Sequence, residues 1–265
     1  MVVNLDNLNE LIEKKTFSII MPVYNNKSDV INAIKSIISQ TCDKWELIII
    51  DDCSTDGTYE FIKNYLDLNI CKNKIKLLKN FRNFGSYVCM NIGIINSNGE
   101  YITRIDSDDL FEKNKLKKQA AVLDDNDNNV ACLTKQIRLT TIKFGEVTLA
   151  FKRFIISKIG FYDNVRFAAD SEFLDRIHKI YGKARINYID EVLYYYIPRE
   201  NSLTTSTNTG LKNNGNKIRF RYKFNYFNWH SENKNLYIPF DLDNLNTEYF
   251  EKNRPFPIPD QVMLP

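Results

Sequence analysis

A chain of 265 residues, 43% hydrophobic and 26% charged, is long and apolar enough to bury a substantial core, as one large domain or one domain with an appendage. Its formal charge of +3 is too mild, and its Lys and Arg are too scattered, to indicate a nucleic-acid partner. Five cysteines, an odd number with no CxxC pair, indicate neither a disulfide framework nor a zinc knuckle and read as small buried side chains.

The first segment, MVVNLDNLNELIEKK, carries acids and amides where a secretory leader needs a basic start and an unbroken apolar run. No later segment offers about 18 consecutive apolar residues, so the expectation is a cytoplasmic protein without a transmembrane segment. Residues 17–23 (FSIIMPV) and 45–51 (WELIIID) are short, nearly continuous apolar runs, the pattern of parallel strands covered on both faces. Between them KSDVINAIKSIISQ repeats its apolar residues at helical spacing, with Ser28 or Asp29 available as a cap. The alternation continues with TDGTYEFIKNYLDL as helix, KIKLL as strand, SYVCMNIGIIN as helix and EYITRID as strand, as in a doubly wound sheet. KLKKQAAVLDD reads as a further helix, and residues 129–150 as less regular strands and turns. KRFIISKIG and DSEFLDRIHKIYG have helical spacing, and VLYYYI reads as a strand. Beyond about residue 205 the sequence turns rich in amides and aromatics and ends in prolines, which reads as an appendage.

Ligands of open parallel sheets sit at the carboxyl ends of the strands. Here the four strand ends read Pro22-Val23-Tyr24-Asn25-Asn26, Asp51-Asp52-Cys53-Ser54-Thr55-Asp56-Gly57, Asn80-Phe81-Arg82-Asn83-Phe84-Gly85 and Asp106-Ser107-Asp108-Asp109. Neither GxGxxG nor GxxxxGK spacing occurs, so a bound phosphate needs another anchor. In an extended chain residues two apart share a face, roughly 6–7 Å apart, so Asp106 and Asp108 can address one site. Adjacent carboxylates repel unless a cation neutralises them, and oxygen ligands suit Mg²⁺ or Mn²⁺. The alternative is that Asp108 or Asp109 caps a following helix while the other acids are solvated.

The stretches SIIMPVYN, QTCDKWELIIIDDCSTDGT, NFRNFGSYVCMNIGI, NGEYITRIDSDD and RFAADSEFLDRI together resemble the family 2 glycosyltransferases, over roughly residues 16–204. The resemblance implies a GT-A type α/β fold, a Rossmann-like, mainly parallel sheet flanked by helices, with a less regular acceptor-side half. It divides the chain into an N-terminal extension (1–15), a nucleotide-sugar-binding half (16–110), an acceptor and catalytic half (111–204) and a C-terminal appendage (205–265). It implies transfer of a sugar from a nucleotide-diphosphate sugar, usually a UDP-sugar, with inversion, to a glycan, glycoprotein or glycolipid acceptor. Residue by residue it places Pro22, Tyr24 and Asn25 around base and ribose, Asp52 at the base edge and Arg82 in the loop holding the nucleotide. Asp106 takes the ribose-side position of the DxD motif, and Asp108 the metal-binding position for Mn²⁺ or Mg²⁺.

Departure of a diphosphate needs charge stabilisation, and an attacking hydroxyl needs a base. Asp170, in AADSE, aligns with the family's base, with Glu172 as a second candidate; Asp170 could equally cap the helix that follows. In YYYIPRENSLTTS, Arg199 stands at the family's usual His and suits a diphosphate contact or a plain surface site. Met90 replaces an Arg common before the Asn of the third motif, and the absence of QxxRW disfavours a processive synthase. Donor and acceptor choice is expected to fall to the second half, including Lys152, Arg153 and Arg166. Tyr194, Tyr195 and Tyr196 read as core packing or a sugar platform. His178 and His230 are the only histidines, too few for a histidine metal cage. The competing functions are a non-catalytic nucleotide-sugar or glycan-binding relative and a sugar-phosphate nucleotidyltransferase.

Overall fold

The computed structural model describes residues 17–68, 70–198 and 214–263. Strands β1 (Phe17–Val23), β2 (Trp45–Asp51), β3 (Ile75–Lys79) and β4 (Tyr101–Arg104) pair in parallel in the order β3-β2-β1-β4. Helices α1 (Val30–Ile38), α2 (Thr58–Asp67) and α3 (Ser86–Ile95) carry the crossovers. The unbroken apolar runs have a simple cause. Phe17, Ile19 and Met21 of β1 meet Val30, Ile34 and Ile37 of α1 on one face, whereas Ile20 joins Ile48, Ile50 and the α3 residues Val88, Cys89 and Met90 on the other. Pro22 is tolerated in this central strand because the β1–β4 ladder stops at Ile20 and Arg104, before a proline would remove a bond on that side.

The second half reverses direction. Strands β5 (Leu110–Phe111), β6 (Ala131–Arg138), β7 (Thr141–Phe144), β8 (Ala150–Lys152) and β9 (Ile186–Tyr196) extend the sheet as β4-β8-β6-β9-β5, with β7 paired to β6. Only β6 and β9 are parallel there, and their register shifts between Thr134 and Gln136. Helices α4 (Lys115–Asp125), α5 (Ile156–Ile159) and α6 (Ala169–Tyr181) lie between the strands in sequence. The helical spacing of KRFIISKIG yields one short 3-10 turn and the four-residue α5, because Lys152 belongs to β8 and Gly160, at φ +75°, ends the helix. A side chain at Gly160 would overlap the Ile238 carbonyl oxygen, which accepts from Phe161 N–H at 2.9 Å.

The residues beyond 205, expected as an appendage, contribute helices α7 (Asn214–Glu232) and α8 (Thr247–Lys252). Tyr222, Tyr226, Trp229, Phe250 and Phe256 pack in the same core as Tyr162, Phe167 and Phe173. The polar contacts are as close. Tyr222 and Arg254 donate to Asp163 at 2.9 Å each, and His230 meets Glu172 at 3.0 Å. Glu172 also pairs with Arg176 at 2.9 Å, and neither side chain is exposed. Among the described residues no helix is long and apolar enough to cross a membrane.

Candidate active site

The carboxyl ends of the parallel strands are stitched into one crest. Asn25, at φ +46°, takes the left-handed conformation that Asn tolerates. Its N–H donates to Ser54 Oγ at 3.0 Å, and its side-chain oxygen accepts from Thr55 N–H at 2.8 Å. Asn26 donates from its backbone to Thr58 Oγ1 at 3.0 Å and from its amide to Ser107 Oγ at 2.9 Å, bridging β1 to the acidic turn after β4. Gly57, at φ +84°, starts α2, where Asp56 accepts from Thr58 N–H and Oγ1. Burial opposes the Asp56 charge, but the Thr58 bonds hold its carboxyl below the usual range.

Of the expected nucleotide contacts, all but Arg199 fall within the described residues. Tyr24 is 45% exposed. Asp52 is buried and accepts from Asn80 Nδ2 at 2.8 Å, Phe84 N–H at 2.9 Å and Gly85 N–H at 2.7 Å, so its carboxylate shapes the loop after β3. Arg82, in that loop, stacks over Phe84 at 4.6 Å. Met90 is wholly buried, and Arg199 lies outside the described residues.

The acidic turn differs from the extended geometry expected of it. β4 stops at Arg104, and Asp109 N–H donates to the Asp106 carbonyl at 3.0 Å, closing a turn over residues 106–109. Asp108 consequently parts from the other two acids. Asp106 and Asp109 line a cleft of about 290 Å³ together with Asp170, whereas Asp108 lines a separate hollow with Asp29, Asn32, Lys35 and Ser36 of the α1 side. Asp109 caps no helix: buried, it accepts from the Tyr194 hydroxyl at 2.7 Å and from Ile197 N–H at 2.8 Å. Burial, then the charges of Asp106 and Asp108, push its carboxyl up to about 8. Among the described residues no group of three or more His, Cys, Asp and Glu side chains converges as a ready-made metal cage.

Asp170 sits in the first turn of α6, behind Ala168 at φ +73°, and helix N-termini favour carboxylates. The left-handed Ala168 is a strained conformation for a residue with a Cβ, and it directs the chain so that Asp170 reaches the cleft. Glu172 does not reach it; its ion pair with Arg176 holds it in the core. Two residues that the motifs did not disclose join the carboxylates. Arg104, 7% exposed, pairs with Asp106 and lies 5.4 Å over the Tyr87 ring, and its Nε and Nη1 have no hydrogen-bond partner. Burial opposes its charge, but Asp106, Tyr87 and Asp170 hold it firmly protonated. Burial and the Asp170 charge push the Tyr87 hydroxyl well above its ordinary range. Tyr87 in turn stacks on Tyr162, which stacks on Phe173, a column from α3 to the helix bearing Asp170.

The rest of the cleft comes from the second half and the C-terminal segment. Arg138, Lys143, Arg219 and Lys223 bring positive charge opposite Asp106, Glu146 and Asp170. Burial, then Asp170, raise the Glu146 carboxyl. Of the three tyrosines, Tyr194 is buried, Tyr195 is 37% exposed and Tyr196 lines the cleft, with Arg138 stacked 4.3 Å over its ring. Lys152 and Arg153 play no part here. Lys152 Nζ donates to the carbonyls of Asn126 and Asp127, and Arg153 donates to Gly99, Ile94, Ser18 and Ser97 at the opposite end of the sheet. The only signal for the residues missed was position: Arg104 two residues before the first Asp, and cations on one face of α7.

Known proteins share this fold. S. aureus TarS 1-349 in complex with UDP-GlcNAc superposes with a TM-score of 0.61 at 22% identity, covering 71% of this chain and 60% of that one. The mannosyltransferase PcManGT from Pyrobaculum calidifontis, in complex with GDP-Man and Mn²⁺, gives 0.61 at 17% identity over 83% of this chain and 65% of that one. These likenesses establish the GT-A fold. In sequence, the putative teichuronic acid biosynthesis glycosyltransferase TuaG of Bacillus subtilis is 35% identical over 106 residues, 40% of this chain and 41% of that protein. The chain spans less than half the length of the curated relatives it matches first. The profile of Glycosyl transferase family 2 matches residues 18–170, more than half of the chain, and the protein belongs to that family.

Proposed function

We propose that the protein is an inverting glycosyltransferase that moves one sugar from a UDP-sugar to a hydroxyl of a glycan, glycoprotein or glycolipid acceptor. The observation carrying this reading is that one cleft contains both Asp106, from the end of the fourth strand, and Asp170, from the first turn of α6. Family membership and the nucleotide sugars bound by the two structural neighbours support it. In this reading Tyr24 stacks on the uracil, Pro22, Asn25 and Asp52 complete the base and ribose pocket, and Asp106 receives the ribose. Arg82 lies in the loop that helps hold the nucleotide, and Arg199 pairs with its diphosphate. Asp170 takes the proton of the acceptor hydroxyl as that oxygen attacks the anomeric carbon on the side opposite the diphosphate, which inverts the configuration.

A divalent cation, Mn²⁺ or Mg²⁺, suits the acidic turn. The donors in the turn are all oxygens, the ligand type that such a hard cation takes. Asp108 would hold the ion, and since its side chain lines the hollow beside α1 and not the cleft of Asp106 and Asp170, it would have to turn towards that cleft to do so. When bound, such an ion stabilises the charge of the departing diphosphate.

The test uses purified protein, Mn²⁺ and a panel of UDP-sugars, in which slow hydrolysis releasing UDP is expected. Pyrophosphate release from UTP and a sugar phosphate would instead identify a nucleotidyltransferase. Asp170→Asn is expected to keep the thermal stabilisation by donor and to lose turnover by about 10²–10⁴-fold; unchanged turnover would reject Asp170 as the base. Asp108→Ala is expected to abolish the Mn²⁺-dependent part of that stabilisation.

A further inference from the structure

Helix α7 is apolar on two faces. Tyr222, Tyr226 and Trp229 are buried against the core. At 3.6 residues per turn, Phe220, Phe224 and Phe227 fall together on the other side, and they are 71%, 58% and 44% exposed. Packing against a core requires one apolar stripe, so a second stripe of three rings held in water has no folding rationale. Cations border it on both sides: helical geometry places the exposed Lys217 and Arg221 along one edge and the exposed Lys223 along the other. Lys223 also stands 3.8 Å from Asp175 and 5.2 Å over the Phe227 ring. From residue 216 to residue 231 the helix has no Asp or Glu.

We propose that this face seats the protein on an anionic lipid surface, with the three rings entering the headgroup boundary and Lys217 and Arg221 facing lipid phosphates. The charge argues for lipid over a second copy of the chain, since a symmetric pairing would set Lys217 and Arg221 against their own counterparts. The shape agrees: the stripe is the convex outer side of a helix, which fits a broad surface. Arg219, Tyr222, Lys223 and Tyr226 of the same helix line the cleft, so docking would open the cleft beside the membrane, within reach of an acceptor held there. The proposal does not depend on sugar transfer.

Co-sedimentation of the full chain with vesicles tests it. Binding is expected to equimolar phosphatidylcholine and phosphatidylglycerol, and to be much weaker with phosphatidylcholine alone. The double variant Phe220→Ser, Phe224→Ser is expected to lower the partition coefficient by roughly tenfold or more, with an unchanged thermal transition because neither ring is in the core. Lys217→Glu with Arg221→Glu is expected to lower it by a similar factor on the anionic vesicles only. Failure of the wild type to sediment with the mixed vesicles would overturn the proposal, as would partition indifferent to both double variants. So would a wild-type dimer in sedimentation velocity that the Phe variant dissociates, which would make the face a self-association surface.

Discussion

Arg104 is the residue on which the two acidic partners of the cleft converge electrostatically, since Asp106 and Asp170 both favour its charge. Arg104→Met is expected to leave those carboxylates facing each other and to lower kcat/KM for the donor by about ten- to a hundredfold, the equivalent of one charge-assisted hydrogen bond. Arg104→Lys should restore part of it, as steady-state kinetics would show. The role was not legible in the sequence, where Arg104 reads as one more residue of a strand; Asp106 and Asp170 were legible because motif order and strand-end position mark them. Lys115 makes a cleaner case of burial. Fully enclosed, with Gln119 Oε1 2.6 Å from its Nζ, it is pushed down by burial from 10.5 to about 7. Between those values the unfolded chain holds a proton that the folded one lacks, so stability gains from this residue as pH rises from about 7 towards 10.5 and loses it as pH falls through 7. The difference in unfolding free energy between wild type and Lys115→Met should therefore vary across that window and flatten outside it, as denaturant titrations would measure.

The elements of the first half were legible because each one obeys a single period. The strands β1 and β2 are nearly continuous apolar runs, and α1 and α2 have one buried stripe. Pattern reading fails where two demands share a segment. The spacing in KRFIISKIG suits a helix, yet Lys152 and Arg153 are drawn off to carbonyls at the far end of the sheet and only α5 remains. In α7, apolar residues on two faces blur the period that would announce a helix. The β6–β9 pairing joins residues far apart in the chain through a shifted register, which no local pattern encodes. The turn at Gly160 is the joint between α5 and the C-terminal segment, where Ile238 N–H also donates to the Ile159 carbonyl at 3.1 Å. Gly160→Ala is expected to cost about 1–3 kcal/mol for the left-handed backbone alone, with overlap on Ile238 adding to it, and to lower the urea midpoint.

At the scale of the molecule, the family match ends at residue 170, yet the physical unit does not. A chain cut at residue 204 would leave Asp163 without Tyr222 and Arg254, Glu172 without His230, and the aromatic core open to water. A stranded buried carboxylate such as Asp163 costs several kcal/mol, a large share of the stability of a domain. Such a truncation is expected to aggregate or to lack a cooperative melting transition, which calorimetry would reveal. The composition of the C-terminal stretch hid this, because its rings are diluted by asparagines that turn outward. The Asp109 carboxylate has a mechanical consequence as well. By accepting from Ile197 N–H beside two other acids, it anchors the exit of β9 to the acidic turn, so the two segments are held as one piece.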